Sequence, residues 1–71
     1  MNNKIKWGII GLGKIANKFA ADLQLSNNAV LYAVASRNSE KAKNFSEKYN
    51  ATKFYDSYEA LAEDSEIDVI Y

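Results

Sequence analysis

Four apolar runs, separated by stretches of helical periodicity, set the rhythm of this 71-residue chain. The first two, Ile5–Ile10 and Ala29–Ala35, are almost continuously apolar, the pattern of strands covered on both faces of a parallel sheet. Residues 1–4 form a polar lead-in. Between the two strands, residues 14–25 carry Ile15, Phe19 and Leu23 every four positions with Ala16 and Ala20 beside them, while Asn17, Lys18 and Asp22 lie off that stripe. The spacing predicts a helix lying on the sheet through one face, stopped by Ser26-Asn27-Asn28.

The alternation then repeats. Ser36-Arg37-Asn38-Ser39 is a polar loop in which Asn38 or Ser39 can cap a helix over residues 40–49, with Ala42, Phe45 and Tyr49 as its apolar stripe and Asn50 as its end. Residues 52–55 are short but rich in β-formers and predict a third strand near the sheet edge. Asp56 is placed to cap a short helix over residues 57–63, with Glu59 reaching back and Tyr58, Leu61 and Ala62 facing inward. Asp64-Ser65-Glu66 predicts a solvated turn before a fourth strand over residues 67–71. Strands that alternate with single helices run parallel, joined by right-handed crossovers.

The junction between the first strand and first helix carries the most specific chemistry. Gly11 and Gly13, with Ala16 in the third place, have the G-x-G-x-x-(G/A) spacing of a dinucleotide site. Gly11 permits the sharp exit from the strand, Gly13 removes a side chain that would obstruct a pyrophosphate, and Ala16 lets the helix approach the sheet. No Ser, Thr, Asp or Asn precedes this helix, and its first turn holds Lys14 and Ile15 rather than an acid. Its leading N–H groups are therefore available to an outside anion. In this context the alternation predicts an α/β chain: the N-terminal part of a Rossmann fold, a parallel sheet of order 3-2-1-4 with helices on both faces. A closing apolar strand would be covered by further strands. Residues 1–71 are accordingly expected to be the front of a dinucleotide-binding domain, its remainder and a substrate domain lying in further sequence.

Composition narrows the choices. Nine basic and nine acidic residues balance to zero, which provides no electrostatic footprint for nucleic acid or an anionic membrane. The chain has neither cysteine nor histidine. Disulfides, thiolate metal sites, the commonest metal ligand and the usual proton carrier near neutrality are all removed, and no metal site is expected. The apolar run after Lys4 and Lys6 is too short for a signal peptide or a membrane span, so a cytoplasmic location is expected. One domain is the most that this length allows, and without a staple its core should contribute only about 3–5 kcal/mol.

The loop after the second strand bears on which dinucleotide is bound. An NAD site places an acid there to hydrogen-bond the adenine ribose; this chain has Ser36 and Arg37. Arg37 can meet a 2′-phosphate with a planar fork of donors and stack on adenine, Ser36 can donate to the same phosphate, and Lys41 can add a further positive contact. NADP is the expected cofactor, with NAD possible. Asp22, Glu47, Glu63, Asp64 and Glu66 read as solvated charges, and Asp68 as a residue near the strand entrance. The tyrosines read as core aromatics with hydroxyls at the rim. No catalytic residue is assigned.

The string from Lys6 to Ala16, followed by Val34-Ala35-Ser36-Arg37-Asn38 and by Tyr55-Asp56-Ser57-Tyr58-Glu59-Ala60-Leu61, resembles the N-terminal domain of the Gfo/Idh/MocA oxidoreductases. Within that family it looks most like the dihydrodiol dehydrogenase and glucose-fructose oxidoreductase branch. The resemblance implies hydride transfer between the nicotinamide cofactor and a sugar, polyol or diol, in a homo-oligomer. It implies cofactor contacts at Gly11, Gly13, Lys14, Ile15 and Ala16 for the pyrophosphate and at Ser36 and Arg37 for the adenosine end. The family's Glu-Lys-Pro motif, whose lysine positions and protonates substrate, would fall beyond Tyr71.

Two other functions fit parts of the pattern. A dinucleotide-sensing regulatory protein would share the fold without turnover, because fold alone does not determine function. An S-adenosylmethionine enzyme would share the glycine turn but usually requires an acid where Ser36-Arg37 stands.

Overall fold

The computed structural model describes residues 4–71, so residues 1–3 of the polar lead-in lie outside the described residues. Its elements are β1 (Ile5–Ile10), α1 (Lys14–Gln24), β2 (Ala29–Ala35), α2 (Ser39–Tyr49), β3 (Lys53–Tyr55), α3 (Tyr58–Ala62) and β4 (Val69–Ile70). The strands form one parallel sheet in the order β3-β2-β1-β4, as the alternation predicts.

A bulge in β2 organises the two faces. Trp7 pairs with Leu31 but Gly8 pairs with Ala33, so Tyr32 is an extra residue on β2. Because side chains alternate along a strand, one inserted residue shifts the parity. Leu31 and Val34, three apart, thereby face the same layer, together with Ile9 of β1, Leu12 of the glycine turn, Ala16, Ala20 and Leu23 of α1 and Ala42 and Phe45 of α2. Tyr32, Ala33 and Ala35 face the other layer, around Leu61 of α3, with Ile10, Tyr55, Tyr58 and Ile67 packed against it. Helices therefore cover both faces of the sheet. Phe19 on α1 bridges β1 and the β4 end, edge-on to Trp7 with centroids 5.1 Å apart and stacked on Tyr71 at 4.1 Å.

Gly8 is small because the second layer is close. A Cβ built there would lie 3.0 Å from Leu61 Cδ2 and 3.2 Å from Ile67 Cδ1.

Several local expectations are corrected. Ile15 does not face the sheet; it is 72% exposed, and the buried stripe is Ala16, Ala20 and Leu23 with Phe19 half-buried. Ile15 lies about 100° around the helix from Ala16, off the stripe defined by the 3.6-residue period. Ser57, not Asp56, caps α3, its Oγ accepting from the Ala60 N–H at 3.1 Å. Asp56 lies in the bend after β3, the helix spans residues 58–62, and Ala62 is exposed rather than inward-facing. Asn38 rather than Ser39 caps α2, and Asn50 ends it in the left-handed region at φ 57°.

The turn at residues 64–66 is less solvated than its charges suggest. The Asp64 side chain is only 6% exposed; it accepts from the Tyr55 hydroxyl and the Glu66 N–H and lies 3.8 Å from Lys53 Nζ. β4 is shorter than residues 67–71, since Ile67 is used in a turn to the Asp64 carbonyl. Main-chain bonds nevertheless connect Asp68 and Tyr71 to β1: the Asp68 N–H donates to the Lys6 carbonyl and the Tyr71 N–H to the Gly8 carbonyl, both at 2.8 Å. Asp68 is exposed at the strand entrance and accepts from the Lys6 N–H at 2.8 Å, while Lys6 Nζ pairs with Glu66, also at 2.8 Å.

Candidate cofactor-binding site

β1 and β2 end in register, with Ile10 opposite Ala35, so the loops that follow emerge side by side at the carboxyl edge of the sheet. β4 lies on the other flank of β1, making this edge the place where the strand order reverses. Open α/β sheets bind ligands there.

In the first loop, Gly11 has φ +74°, a conformation that L side chains resist. Gly13 is the residue before the helix, in extended backbone, and its N–H donates to the Gly11 carbonyl at 2.9 Å, closing a tight turn. A Cβ at Gly13 would meet no atom within 4 Å. The smallness of Gly13 therefore answers no packing demand within the chain, and it leaves open space at the mouth of α1.

That mouth differs from those of the other two helices. Asn38 and Ser57 cap α2 and α3, and each has an acid in its first turn, Glu40 and Glu59. α1 has no side-chain cap and no acid in its first turn. Among the described residues, the N–H groups of Lys14, Ile15 and Ala16 meet neither a backbone carbonyl nor a side-chain acceptor. Their donors and the positive end of the helix dipole face outward, an arrangement that suits a phosphate. Lys14 and Ile15 are exposed, whereas Ala16, 3% exposed, brings the helix down onto the sheet.

Asn17 is a residue whose part the sequence did not reveal. Its Nδ2 donates to the Gly13 carbonyl at 2.9 Å, and its Oδ1 accepts from the Tyr49 hydroxyl at 2.9 Å and from Lys48 Nζ at 3.4 Å. One side chain thus ties the glycine turn to the far end of α2. An Asn off the apolar stripe reads as solvated, and only the return of α2 alongside α1 supplies its partners.

The second loop begins at Ser36, which is buried at 8% exposure. Its N–H donates to the Tyr55 carbonyl at 3.2 Å, joining the ends of β2 and β3, and its Oγ accepts from the Asn38 N–H at 3.2 Å. The hydroxyl hydrogen remains available to donate. Arg37 is exposed, its guanidinium carbon over the Tyr58 ring at 5.6 Å from the centroid. Lys41 is exposed in the first turn of α2, where its N–H completes the Asn38 cap at 3.1 Å. Among the described residues, the ion pairs are Lys6 with Glu66 and Lys53 with Asp64, so Lys14, Arg37 and Lys41 have no carboxylate partner.

In the turn after α3, the Asp64 carboxyl is held below its ordinary 3.8, chiefly by the hydrogen bond from Tyr55 and then by the Glu66 N–H. The Tyr55 hydroxyl is correspondingly raised above 10.0. This pair ties the end of β3 to the turn after α3 in the layer around Leu61.

A parallel sheet of this order, a glycine turn under an uncapped helix and an unpaired arginine on the neighbouring loop define a dinucleotide-binding domain of the Rossmann type. Residues 5–71 match the oxidoreductase family whose domain is the NAD-binding Rossmann fold, and the chain belongs to that Gfo/Idh/MocA family. It is 48% identical over 68 residues to a trans-1,2-dihydrobenzene-1,2-diol dehydrogenase of Xenopus tropicalis, an alignment covering 93% of this chain and 21% of the relative. The human enzyme of the same name is 41% identical over 70 residues, with 94% and 21% covered. The chain thus spans about a fifth of the length of these relatives.

Among solved structures, KijD10, a 3-ketoreductase of Actinomadura kijaniata in complex with NADP and TDP-benzene, superimposes with a TM-score of 0.92 at 31% identity. That match covers 97% of this chain and 21% of the other. An NAD binding oxidoreductase of Klebsiella pneumoniae gives 0.86 at 25% identity, covering 96% and 20%. No helix among the described residues is long and apolar enough to cross a membrane.

Proposed function

We propose that these residues are the cofactor-holding front of an NADP-preferring oxidoreductase that transfers hydride between the nicotinamide and a sugar, polyol or diol. The rest of the dinucleotide domain and the substrate domain lie in further sequence. The observation that carries this reading is the open mouth of α1 at Gly13 beside a loop that bears Arg37 where an NAD site would bear an acid. The relatives' dehydrogenase names and the NADP complex of KijD10 support it.

When bound, the dinucleotide supplies the hydride chemistry, and the protein's share is binding and orientation. Gly11 shapes the turn, Gly13 clears the approach, and the Lys14, Ile15 and Ala16 amides receive the pyrophosphate. Arg37 meets the 2′-phosphate, with Ser36 donating at the base of the loop and Lys41 adding charge from α2. None of the 71 residues is assigned to proton transfer. A cytoplasmic location, and the homo-oligomer that the family resemblance implies, belong to the same proposal.

The test is a titration of the full-length protein and its Arg37→Ala variant with NADP and NAD. NADP binding should weaken about 10–100-fold, the size of a lost charged hydrogen bond, with NAD little changed. Equal losses for both cofactors would refute the 2′-phosphate role.

A further inference from the structure

Arg37 is held in an unusual way for a surface cation. It lies over the uncharged Tyr58 ring, whereas Lys6 and Lys53, which also lie over an aromatic ring, are each paired with a carboxylate, and Lys48, over Tyr49, is engaged by Asn17 Oδ1. A carboxylate would orient the guanidinium but would also compete with an incoming phosphate. An aromatic face attracts the cation without neutralising it and leaves the in-plane N–H donors unused.

The ring is itself well placed to act as a shelf. Tyr58 is the first residue of α3, directly after the Ser57 cap, and is half-buried against Ala33, Ala35 and Leu61. Leu61, one turn later, is fully buried and anchors the helix to the sheet. The Ser36 N–H bond to the Tyr55 carbonyl ties the loop that carries Arg37 to the strand leading into α3. Loop and ring are therefore positioned by the same pair of strand ends.

We propose that Tyr58 is a positioning residue for cofactor selection: its ring pre-orients the Arg37 guanidinium, so that discrimination for the 2′-phosphate depends on both side chains. This rests on the phosphate role of Arg37 set out above. A guanidinium with one face on Tyr58 keeps its edge free for the phosphate. The hydroxyl has no part in this, so phenylalanine should serve as well.

The experiment is calorimetric titration of the full-length protein with 2′,5′-ADP and with 5′-AMP, which isolates the adenosine end of the cofactor. Tyr58→Ala should weaken 2′,5′-ADP about 2–5-fold, the range for an exposed cation–π contact, and leave 5′-AMP within error. Tyr58→Phe should match the wild type. In an Arg37→Ala background, Tyr58→Ala should have no further effect on the ratio of the two affinities. Tyr58→Leu, which fills the half-buried space without a π face, replaces the alanine variant if that one does not fold. If Arg37→Ala collapses the ratio while the Tyr58 variants preserve it, the shelf is refuted and the phosphate role stands. If Arg37→Ala itself leaves the ratio unchanged, the underlying reading fails and the shelf with it. Equal weakening of both ligands by Tyr58→Ala would show general loop damage and would also overturn the proposal.

Discussion

Gly11 and Gly13 are two residues apart, yet their substitution should produce opposite phenotypes. At Gly11 the backbone has φ +74°, and a Cβ would meet nothing within 4 Å, so the penalty for alanine is conformational alone. At Gly13 the backbone is extended, at φ −104° and ψ −160°, and a Cβ again meets nothing. Either alanine stiffens the unfolded chain and contributes about 0.4–1 kcal/mol of stability. That contribution is common to both and cancels in the comparison. The remaining difference is the left-handed strain at Gly11, about 1–2 kcal/mol, less about 0.5 kcal/mol for replacing the glycine N-cap of α1 at Gly13 by alanine. Urea denaturation of the two alanine variants of the full-length protein should therefore place Gly13→Ala above Gly11→Ala by that amount, with unchanged slopes.

Binding separates them further. Gly13→Val puts a branched side chain into the space at the mouth of α1 and suits extended backbone, so the variant should fold normally. It should lose NAD and NADP alike, by at least about tenfold or 1.4 kcal/mol, because the pyrophosphate is common to both. A Gly13→Val protein as unstable as Gly11→Ala would contradict the open space. A stable one that binds both cofactors undiminished would contradict the site.

Two further outcomes test the frame around the site. Gly8→Ala should destabilise the fold by about 1–3 kcal/mol through overpacking, since its Cβ would lie 3.0 Å from Leu61 Cδ2 and 3.2 Å from Ile67 Cδ1; denaturation should show the double variant with Leu61→Val less destabilised than the sum of the two singles. Because the folded Asp64 carboxyl lies below 3.8, its contribution to stability is present above the unfolded value and lost as pH falls through the folded one. Carboxyl NMR titration should show Asp64 returning toward its ordinary value in Tyr55→Phe. The same substitution should remove the stability that the raised Tyr55 contributes below 10.0 and loses as pH rises through its folded value.

Most residues of the candidate site stand out in the sequence itself. The G-x-G-x-x-A spacing, the missing cap before α1 and the pair Ser36-Arg37 are local properties of consecutive residues, and the structure places them where two neighbouring strands end. Asn17 and Tyr58 were not legible in that way. Asn17 became a tie only because Tyr49 and Lys48, more than 30 residues on, return beside it. Tyr58 gained its cation only because β3 runs next to β2.

The sequence alone determined the succession of strands and helices, because hydrophobic periodicity and glycine conformation act over a few residues. It also determined the sheet order, because each strand-helix-strand unit has few ways to close. The bulge at Tyr32, the burial of Asp64, the exposure of Ile15 and the choice of Ser57 over Asp56 as a cap were decided by tertiary structure. Each depends on which distant surface arrives at that position, and the energy differences among the local alternatives are smaller than the packing energies that select between them.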